Sequence, residues 1–188
     1  HEVTDEVLKF AKQLGATDII VHTPELRGNG YWEYLDLLHL RTRVESAGLK
    51  LAAIENMPRK WYDRAVRGLE GRDEQIENWC KTLRNMGKAG IPIFGYDWNM
   101  VGVWRTTGYF PGRGGAFVTG FDYHAVKDAP LGATGLRDTL PPMSLSGEQM
   151  WDNYIYFLQK VIPVAEEAGV KMALHPDDPP ISPLAGTS

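Results

Sequence analysis

Apolar residues along this chain follow two spacings, one typical of helices and the other of buried strands. In four stretches they recur every three and four residues, which predicts a helix with one buried face. Each stretch ends near a glycine and is followed by a short apolar run of strand length. The predicted helices and strands alternate as residues 4–14, 18–22, 31–47, 49–54, 73–87, 91–96, 146–168 and 170–175.

Two of the helices carry capping signals at their start, and one carries a conflict. The hydroxyl of Thr4 is placed to cap the first helix, and Ser146 with Gln149 has the spacing of a capping box at the start of the fourth. Pro163 lies inside the fourth helix and lacks a backbone N–H, which predicts a kink or a break. Because helices and strands alternate regularly, we expect a parallel α/β fold.

A stretch of 49 residues without this alternation, residues 98–146, separates the third predicted strand from the fourth helix. It holds eight glycines and four prolines, whereas connections in α/β units are normally about 2–6 residues long. Its seven aromatic residues are too many for a disordered linker. We interpret it as an inserted lid or substrate-binding loop, because it leaves the carboxyl end of a strand, where α/β enzymes build their sites.

Charge, apolar runs and cysteine content exclude several classes of protein. Twenty Lys and Arg against 24 Asp and Glu give a formal charge of −4 without a basic cluster, so nucleic acid is not an expected partner. No apolar run reaches the roughly 18 residues of a membrane span, and the layout of a signal peptide is missing. The single cysteine, Cys80, excludes an intramolecular disulfide and fits the cytoplasm.

An ionisable residue stands at the carboxyl end of every predicted strand: His22, Glu55, Asp97 and His175. Neighbouring parallel strands are about 4.8 Å apart, so these residues are expected to meet at one edge of the sheet. Imidazole and carboxylate without clustered thiols suit Mn²⁺, Fe²⁺, Mg²⁺ or Zn²⁺. The pattern indicates a cation or substrate site, although polar residues also mark strand ends in proteins that have no such site.

The segment that begins at His175 reads His-Pro-Asp-Asp-Pro-Pro. It places an imidazole and two carboxylates at a strand end, and its three prolines stiffen the turn. A metal site needs such rigid placement. Asp and Pro are also ordinary turn formers, so from this segment alone a metal role and a turn role for His175 stay equally open.

Four segments together resemble the mannonate dehydratase family. PVAEEAGVKMALHPDDPP (163–180) is similar to the family signature, and TLRNMGKAGI (82–91) to the end of its third helix. ENMP (55–58) resembles its Glu-x-x-Pro strand exit, and VWRTTG (103–108) its Trp-Arg-Thr segment. The segments occur in the family's order, and the match is densest from residue 49 onward.

The resemblance implies a xylose-isomerase-like TIM barrel, a (βα)8 fold of which this chain holds about four βα units as one partial domain over residues 1–188. It implies a lyase that converts D-mannonate to 2-keto-3-deoxy-D-gluconate and water. It also implies a divalent metal, Mn²⁺ first and Fe²⁺ or Mg²⁺ otherwise, with His175 as one ligand. The other ligands, a cysteine, a histidine and an aspartate, are expected beyond residue 188. Cys80 is not that cysteine, since it lies on the apolar face of the third predicted helix.

Within this framework the other polar residues are expected to face the substrate. Arg105 is predicted to clamp the sugar-acid carboxylate with its forked guanidinium, with a plain surface role as the alternative. His22 and Glu55 are expected to bind substrate hydroxyls or to support the metal, and Asp177 to orient His175.

Several points stay open at this stage. Asp97 stands where the family commonly has asparagine, so another sugar acid is an alternative substrate. The general acid and base are unassigned. A sugar isomerase or epimerase of the same superfamily, or a non-catalytic fragment that keeps the pocket without a complete metal site, are the competing interpretations. In each case we expect a cytoplasmic protein that meets a small sugar acid, with a homo-oligomer left open.

Overall fold

The computed structural model of this protein describes residues 3–100, 102–128 and 143–184. The chain divides into two compact units, the first from residues 1–97 and 153–175 and the second from residues 98–152 and 176–188. In chain order the helices and strands are α1 (Asp5–Gln13), β1 (Asp18–His22), α2 (Tyr34–Ser46), β2 (Lys50–Glu55), α3 (Asp63–Arg67), α4 (Arg72–Ala89), β3 (Ile93–Tyr96), β4 (Thr107–Pro111), β5 (Phe117–Gly120), α5 (Gly147–Ala168) and β6 (Lys171–Leu174), with single 3₁₀ turns at Arg59–Trp61, Arg113–Gly115 and Tyr123–Ala125.

The first unit is built on a four-stranded sheet in the order β1, β2, β3, β6. All three strand pairings are parallel. Each of the four predicted strands is present within two residues of its predicted bounds, and the strands lie side by side in their order along the chain. The predicted parallel α/β fold is therefore confirmed.

Both predicted capping signals are realised as hydrogen bonds. The backbone N–H of Val7 donates to Thr4 Oγ1 at 3.2 Å. The backbone N–H of Gln149 donates to Ser146 Oγ at 3.2 Å, and the N–H of Ser146 donates to Gln149 Oε1 at 2.9 Å. The two orphan donors at the start of α5 are thus satisfied reciprocally, as a capping box requires.

The break predicted at Pro163 is wrong, because α5 runs without interruption from residue 147 to residue 168. Pro163 removes one intrahelical hydrogen bond. On both sides of it the helix is held by packing, since Phe157 and Val161 are 0% exposed and Ala165 is 3% exposed. Burial of such side chains contributes roughly 1.5–3 kcal/mol for each large one, enough to offset the lost bond.

The core of the first unit centres on Trp79 of α4, which lies between the sheet and α5. Its ring centroid is 4.9 Å from that of Phe157, 5.1 Å from Phe94 and 5.8 Å from Tyr96. Cys80 is buried beside it, as predicted. Burial raises the pKa of the Cys80 thiol, chiefly by desolvation. Cys80 is thus a packing residue of this core.

The second unit contains an antiparallel hairpin of β4 and β5 and a small apolar cluster. Trp104 and Leu184 are buried in the cluster, with Phe121 and Val126 packed against them. Part of the predicted lid, residues 98–146, therefore has regular structure, in β4, β5 and two 3₁₀ turns. Residues 101 and 129–142 of that prediction lie outside the described residues.

Helix α1 turns most of its apolar side chains to solvent. Leu8 is 2% exposed, whereas Val7, Phe10 and Leu14, at the end of the helix, are 52%, 59% and 71% exposed. The helix predicted for this segment is present, but the buried face predicted at Val7, Phe10, Ala11 and Leu14 is wrong, because the buried residue is Leu8, which lies outside that set. Across residues 3–100, 102–128 and 143–184, no helix combines the length and hydrophobicity that a membrane crossing requires.

Candidate active site at the carboxyl ends of the strands

The strand register places four positions in one row across the sheet. His22 of β1 pairs with Glu55 of β2, Glu55 pairs with Gly95 of β3, and Gly95 pairs with Ala173 of β6. Residues directly paired between parallel strands point to the same face of the sheet. The row therefore carries an imidazole and a carboxylate beside two small residues.

This row lies on the face of the sheet that is opposite to the helices. Phe94 and Tyr96, which alternate with Gly95, contact Trp79 and Phe157 on the helical side. Alternation therefore turns Gly95 and its row to the other side.

Asp97 and His175 lie just beyond the ends of β3 and β6, in line with the row of paired positions. Each follows a row position by two residues, and the backbone N–H of His175 donates to the carbonyl of Tyr96 at 2.7 Å, which continues the ladder. His175 is exposed, and Asp97 is partly buried. The strand ends thus lie side by side as the sequence predicts.

Glu55 occupies space that Gly95 leaves open. A Cβ atom built on Gly95 would lie 3.3 Å from Glu55 Cγ and 3.4 Å from its Cβ. The first distance is tighter than ordinary van der Waals contact, so an alanine here would press on Glu55 Cγ. The missing side chain at residue 95 therefore lets the Glu55 side chain lie across β3, on the same face as Ala173.

The His22 ring contacts Thr23, the residue after β1, and Asn56, the residue after β2. Its Nδ1 lies 3.2 Å from Thr23 Oγ1, and its Nε2 lies 3.4 Å from Asn56 Nδ2. An amide nitrogen only donates, so with the amide in this orientation Nε2 accepts and Nδ1 carries the hydrogen. Thr23 and Asn56 both have positive φ, 39° and 57°. Such strain in residues other than glycine is concentrated at functional sites.

The Asp97 carboxylate is bound by two residues that the sequence did not single out. The hydroxyl of Tyr62 donates to Asp97 Oδ1 at 2.5 Å, and Arg59 Nη2 donates to Oδ2 at 3.2 Å. The side chains of Arg59 and Asp97 are only 13% and 15% exposed. The negative charge that Asp97 adds to the strand ends is thus balanced within the protein. The only sequence signal was an Arg and a Tyr shortly after the second strand exit, which does not indicate a contact with residue 97.

Arg105 holds a carboxylate of its own chain. Its Nη1 and Nη2 donate to the two oxygens of Asp178 at 2.9 and 2.6 Å, in a forked ion pair. Donation of hydrogen bonds to Asp178 raises the pKa of the Arg105 guanidinium. The neighbouring Asp177 is exposed and borders a cavity of about 70 Å³ in the second unit. That volume accommodates a few water molecules and is too small for a sugar acid.

The described residues do not assemble a metal centre by themselves. Within residues 3–100, 102–128 and 143–184, no three His, Cys, Asp or Glu side chains are grouped closely enough to hold an ion. His175 offers one exposed imidazole at a strand end, which suits a divalent transition metal. The ligand set expected from the resemblance included one residue of this chain, His175, and that expectation stays a prediction.

Comparison with known proteins establishes the family. The family model described as D-mannonate dehydratase (UxuA) matches residues 3–187. This chain belongs to the D-mannonate dehydratase family. Mannonate dehydratases of Streptococcus pneumoniae (strain 70585) and Thermotoga maritima are both 34% identical to it, over 79% and 80% of this chain and 45% and 48% of theirs. The chain spans about half the length of the curated relatives it matches.

Solved structures agree with the sequence comparison. The mannonate dehydratase from Streptococcus suis serotype 2 superimposes with a TM-score of 0.76 at 32% identity, covering 96% of this chain and 50% of that one. A D-psicose 3-epimerase from Clostridium cellulolyticum H10 has a TM-score of 0.57 at 11% identity, covering 98% of this chain and 50% of its own, a likeness that shows the fold alone. The fold comparison therefore agrees with the expected TIM barrel, and the four-stranded parallel sheet of this D-mannonate dehydratase family member fits part of such a barrel.

Proposed function

We propose that this chain is part of a hydro-lyase that removes water from D-mannonate and forms 2-keto-3-deoxy-D-gluconate. The observation that carries the proposal is the match to the family over residues 3–187, which includes the His-Pro-Asp-Asp segment at the end of β6. The open sheet face beside His175, lined by His22, Glu55 and small residues, supports a substrate site at the same end of the sheet.

The reaction removes a weakly acidic proton beside a carboxylate and then expels a hydroxyl. We propose His175 as a ligand of a divalent metal, with Mn²⁺ as the first candidate and Fe²⁺ or Mg²⁺ as the others. When bound, such an ion supplies positive charge next to the negative charge that develops on the substrate carboxylate. His175 then serves as a ligand and not as the base, and Asp177 is proposed to orient it by hydrogen bonding.

The row of positions on the sheet face is proposed to bind the sugar. His22 and Glu55 can each hydrogen-bond a hydroxyl, and Gly95 leaves room over the strand for the Glu55 side chain. Asp97 was expected to add negative charge near an acidic substrate. Because Arg59 and Tyr62 balance its carboxylate, we propose that Asp97 bounds the site without repelling a sugar acid.

The proposal is tested by turnover of D-mannonate in the whole protein with Mn²⁺, followed by an assay for the 2-keto-3-deoxy acid. His175→Ala should lower kcat/KM about 100-fold or more and reduce the bound metal, because loss of a residue that only hydrogen-bonds a metal ligand already costs about 10- to 100-fold. His39→Ala, which alters an exposed histidine on α2, is the matched control and should leave both unchanged. Full activity in the His175 variant would contradict the proposal.

The same assay separates the alternatives. A sugar isomerase or epimerase would convert a sugar without releasing a dehydrated product. The epimerase likeness is at 11% identity and gives no reason to prefer it. A non-catalytic binding module would hold the sugar acid but retain a divalent ion only weakly. We also propose a cytoplasmic location, which fits a chain with one cysteine.

A further inference from the structure

Arg105 is embedded in a network that leaves little of its guanidinium for a substrate. Besides the two bonds to Asp178, its Nε donates to Thr119 Oγ1 at 3.1 Å and its Nη1 donates to the carbonyl of Trp104 at 3.0 Å. These four hydrogen bonds engage a group that has five N–H donors. To clamp a substrate carboxylate with its fork, Arg105 would have to release Asp178.

The network joins three segments of the second unit. Arg105 lies just before β4, Thr119 lies on β5, and Asp178 belongs to the turn that follows β6. The backbone N–H of Trp104 also donates to the carbonyl of Asp178 at 3.1 Å. Trp104 packs against Leu184 at the far end of the same turn. The turn is therefore held near its start by the ion pair and the backbone hydrogen bond at Asp178, and at its end by the apolar contact of Leu184 with Trp104.

The ion pair of Arg105 and Asp178 acts mainly through its fixed geometry and only weakly through charge attraction. The side chains of Arg105 and Asp178 are 35% and 36% exposed, so the Coulomb attraction between them is screened by water. A fork on a carboxylate still fixes orientation through two parallel bonds, which a lysine does not reproduce. Its main effect is on the conformation of the turn.

We infer that Arg105 is a positioning residue, which holds Asp178 and thereby fixes the proline-rich turn that contains Asp177 in the conformation that the reaction needs. The inference rests on the proposed dehydratase function. It replaces the clamp predicted for Arg105 by a role inside the protein. Small displacements of a supporting segment lower turnover strongly while substrate contacts remain, so the effect should fall on kcat.

The test compares Arg105→Lys, Asp178→Asn and the double variant in the whole protein. Steady-state kinetics with D-mannonate and Mn²⁺ should show kcat reduced about 10- to 100-fold in each single variant, with KM changed less than about threefold. The double variant should be no worse than the single ones, because both remove the same contact. Arg113→Lys, an exposed arginine between β4 and β5, is the control and should match the unaltered protein.

A second measurement does not depend on activity. Amide hydrogen exchange of the segment around Trp104 should be about tenfold faster in both single variants, with no further increase in the double variant. Additive effects on exchange, or exchange equal to that of the unaltered protein, would overturn the inference. So would a raised KM in Arg105→Lys together with an unchanged or lower KM in Asp178→Asn, which is the pattern of a substrate clamp. Failure of the proposed function shows separately, as absence of turnover in the unaltered protein.

Discussion

Thr23 and Asn56 occupy equivalent places, each one residue beyond a paired strand end. Both have left-handed backbone conformations, and both contact the imidazole of His22. For residues other than glycine this conformation costs about 1–2 kcal/mol. Both strained residues lie next to the polar side chain of His22, on the open face of the sheet. We attribute the strain to the orientation of His22.

Replacement of Asn56 by glycine should separate the backbone conformation from the side chain. Asn56→Gly keeps the left-handed backbone at lower cost, so the free energy of unfolding should stay within about 1 kcal/mol of its value. The His22 ring loses its Nε2 partner, and the KM for D-mannonate should rise several-fold. Thermal unfolding and steady-state kinetics check the two effects. An unchanged KM would show that His22 does not depend on Asn56.

Gly95 offers a test of the space that Glu55 occupies. Gly95→Ala places a methyl group 3.3 Å from Glu55 Cγ, which is tighter than ordinary van der Waals contact, and 3.4 and 3.5 Å from Glu55 Cβ and Cα, which is within the ordinary range. We expect a loss of about 1 kcal/mol in the free energy of unfolding and weaker sugar-acid binding. The same substitution in a Glu55→Ala background should be neutral or stabilising, because alanine then reduces the flexibility of the unfolded chain. Equal losses in both backgrounds would refute the contact.

Periodicity was sufficient to locate the regular elements, because each long helix and buried strand repeats its apolar spacing over several turns or residues. It missed α3, which is five residues long, and the hairpin of β4 and β5. These elements are short or lie in a glycine-rich stretch, so no repeat is long enough to reveal them. The break predicted at Pro163 rested on local backbone chemistry alone. Packing of the residues on both sides of Pro163 keeps α5 continuous.

The contact between β3 and α5 predicts how stability depends on pH. The hydroxyls of Tyr96 and Tyr154 are 2.7 Å apart, and burial, followed by this hydrogen bond, raises the pKa of Tyr96 well above its usual value near 10. Above about pH 10 the unfolded chain therefore releases this proton while the folded chain keeps it. The free energy of unfolding must then fall as pH rises.

Urea unfolding between about pH 9 and 11.5 measures this dependence. Tyr96→Phe should cost about 1 kcal/mol at neutral pH through the lost hydrogen bond, yet its stability should decline less steeply above about pH 10. Tyr123→Phe, on a 3₁₀ turn of the second unit, is the control and should keep the steeper decline. Identical slopes in all three proteins would contradict the assignment to Tyr96.

For the molecule as a whole, the sequence located the strand ends but not the partners of the residues there. His22, Glu55, Asp97 and His175 follow from strand positions, and strands were predictable. The contacts of Asp97 with Tyr62 and Arg59 span 35 and 38 residues, and that of Arg105 with Asp178 spans 73. Such pairs depend on the three-dimensional arrangement of segments, which apolar spacing does not encode.

The apolar stripe of α1 has a consequence for handling the protein. Val7, Phe10 and Leu14 are each more than half exposed, and water next to such surface costs about 25 cal/mol per Å². A patch of this kind binds alkyl ligands, so α1 should contribute to the retention of the protein on a hydrophobic-interaction column. Kosmotropic salts will strengthen that retention, and the protein will precipitate from ammonium sulfate earlier than its charged surface suggests.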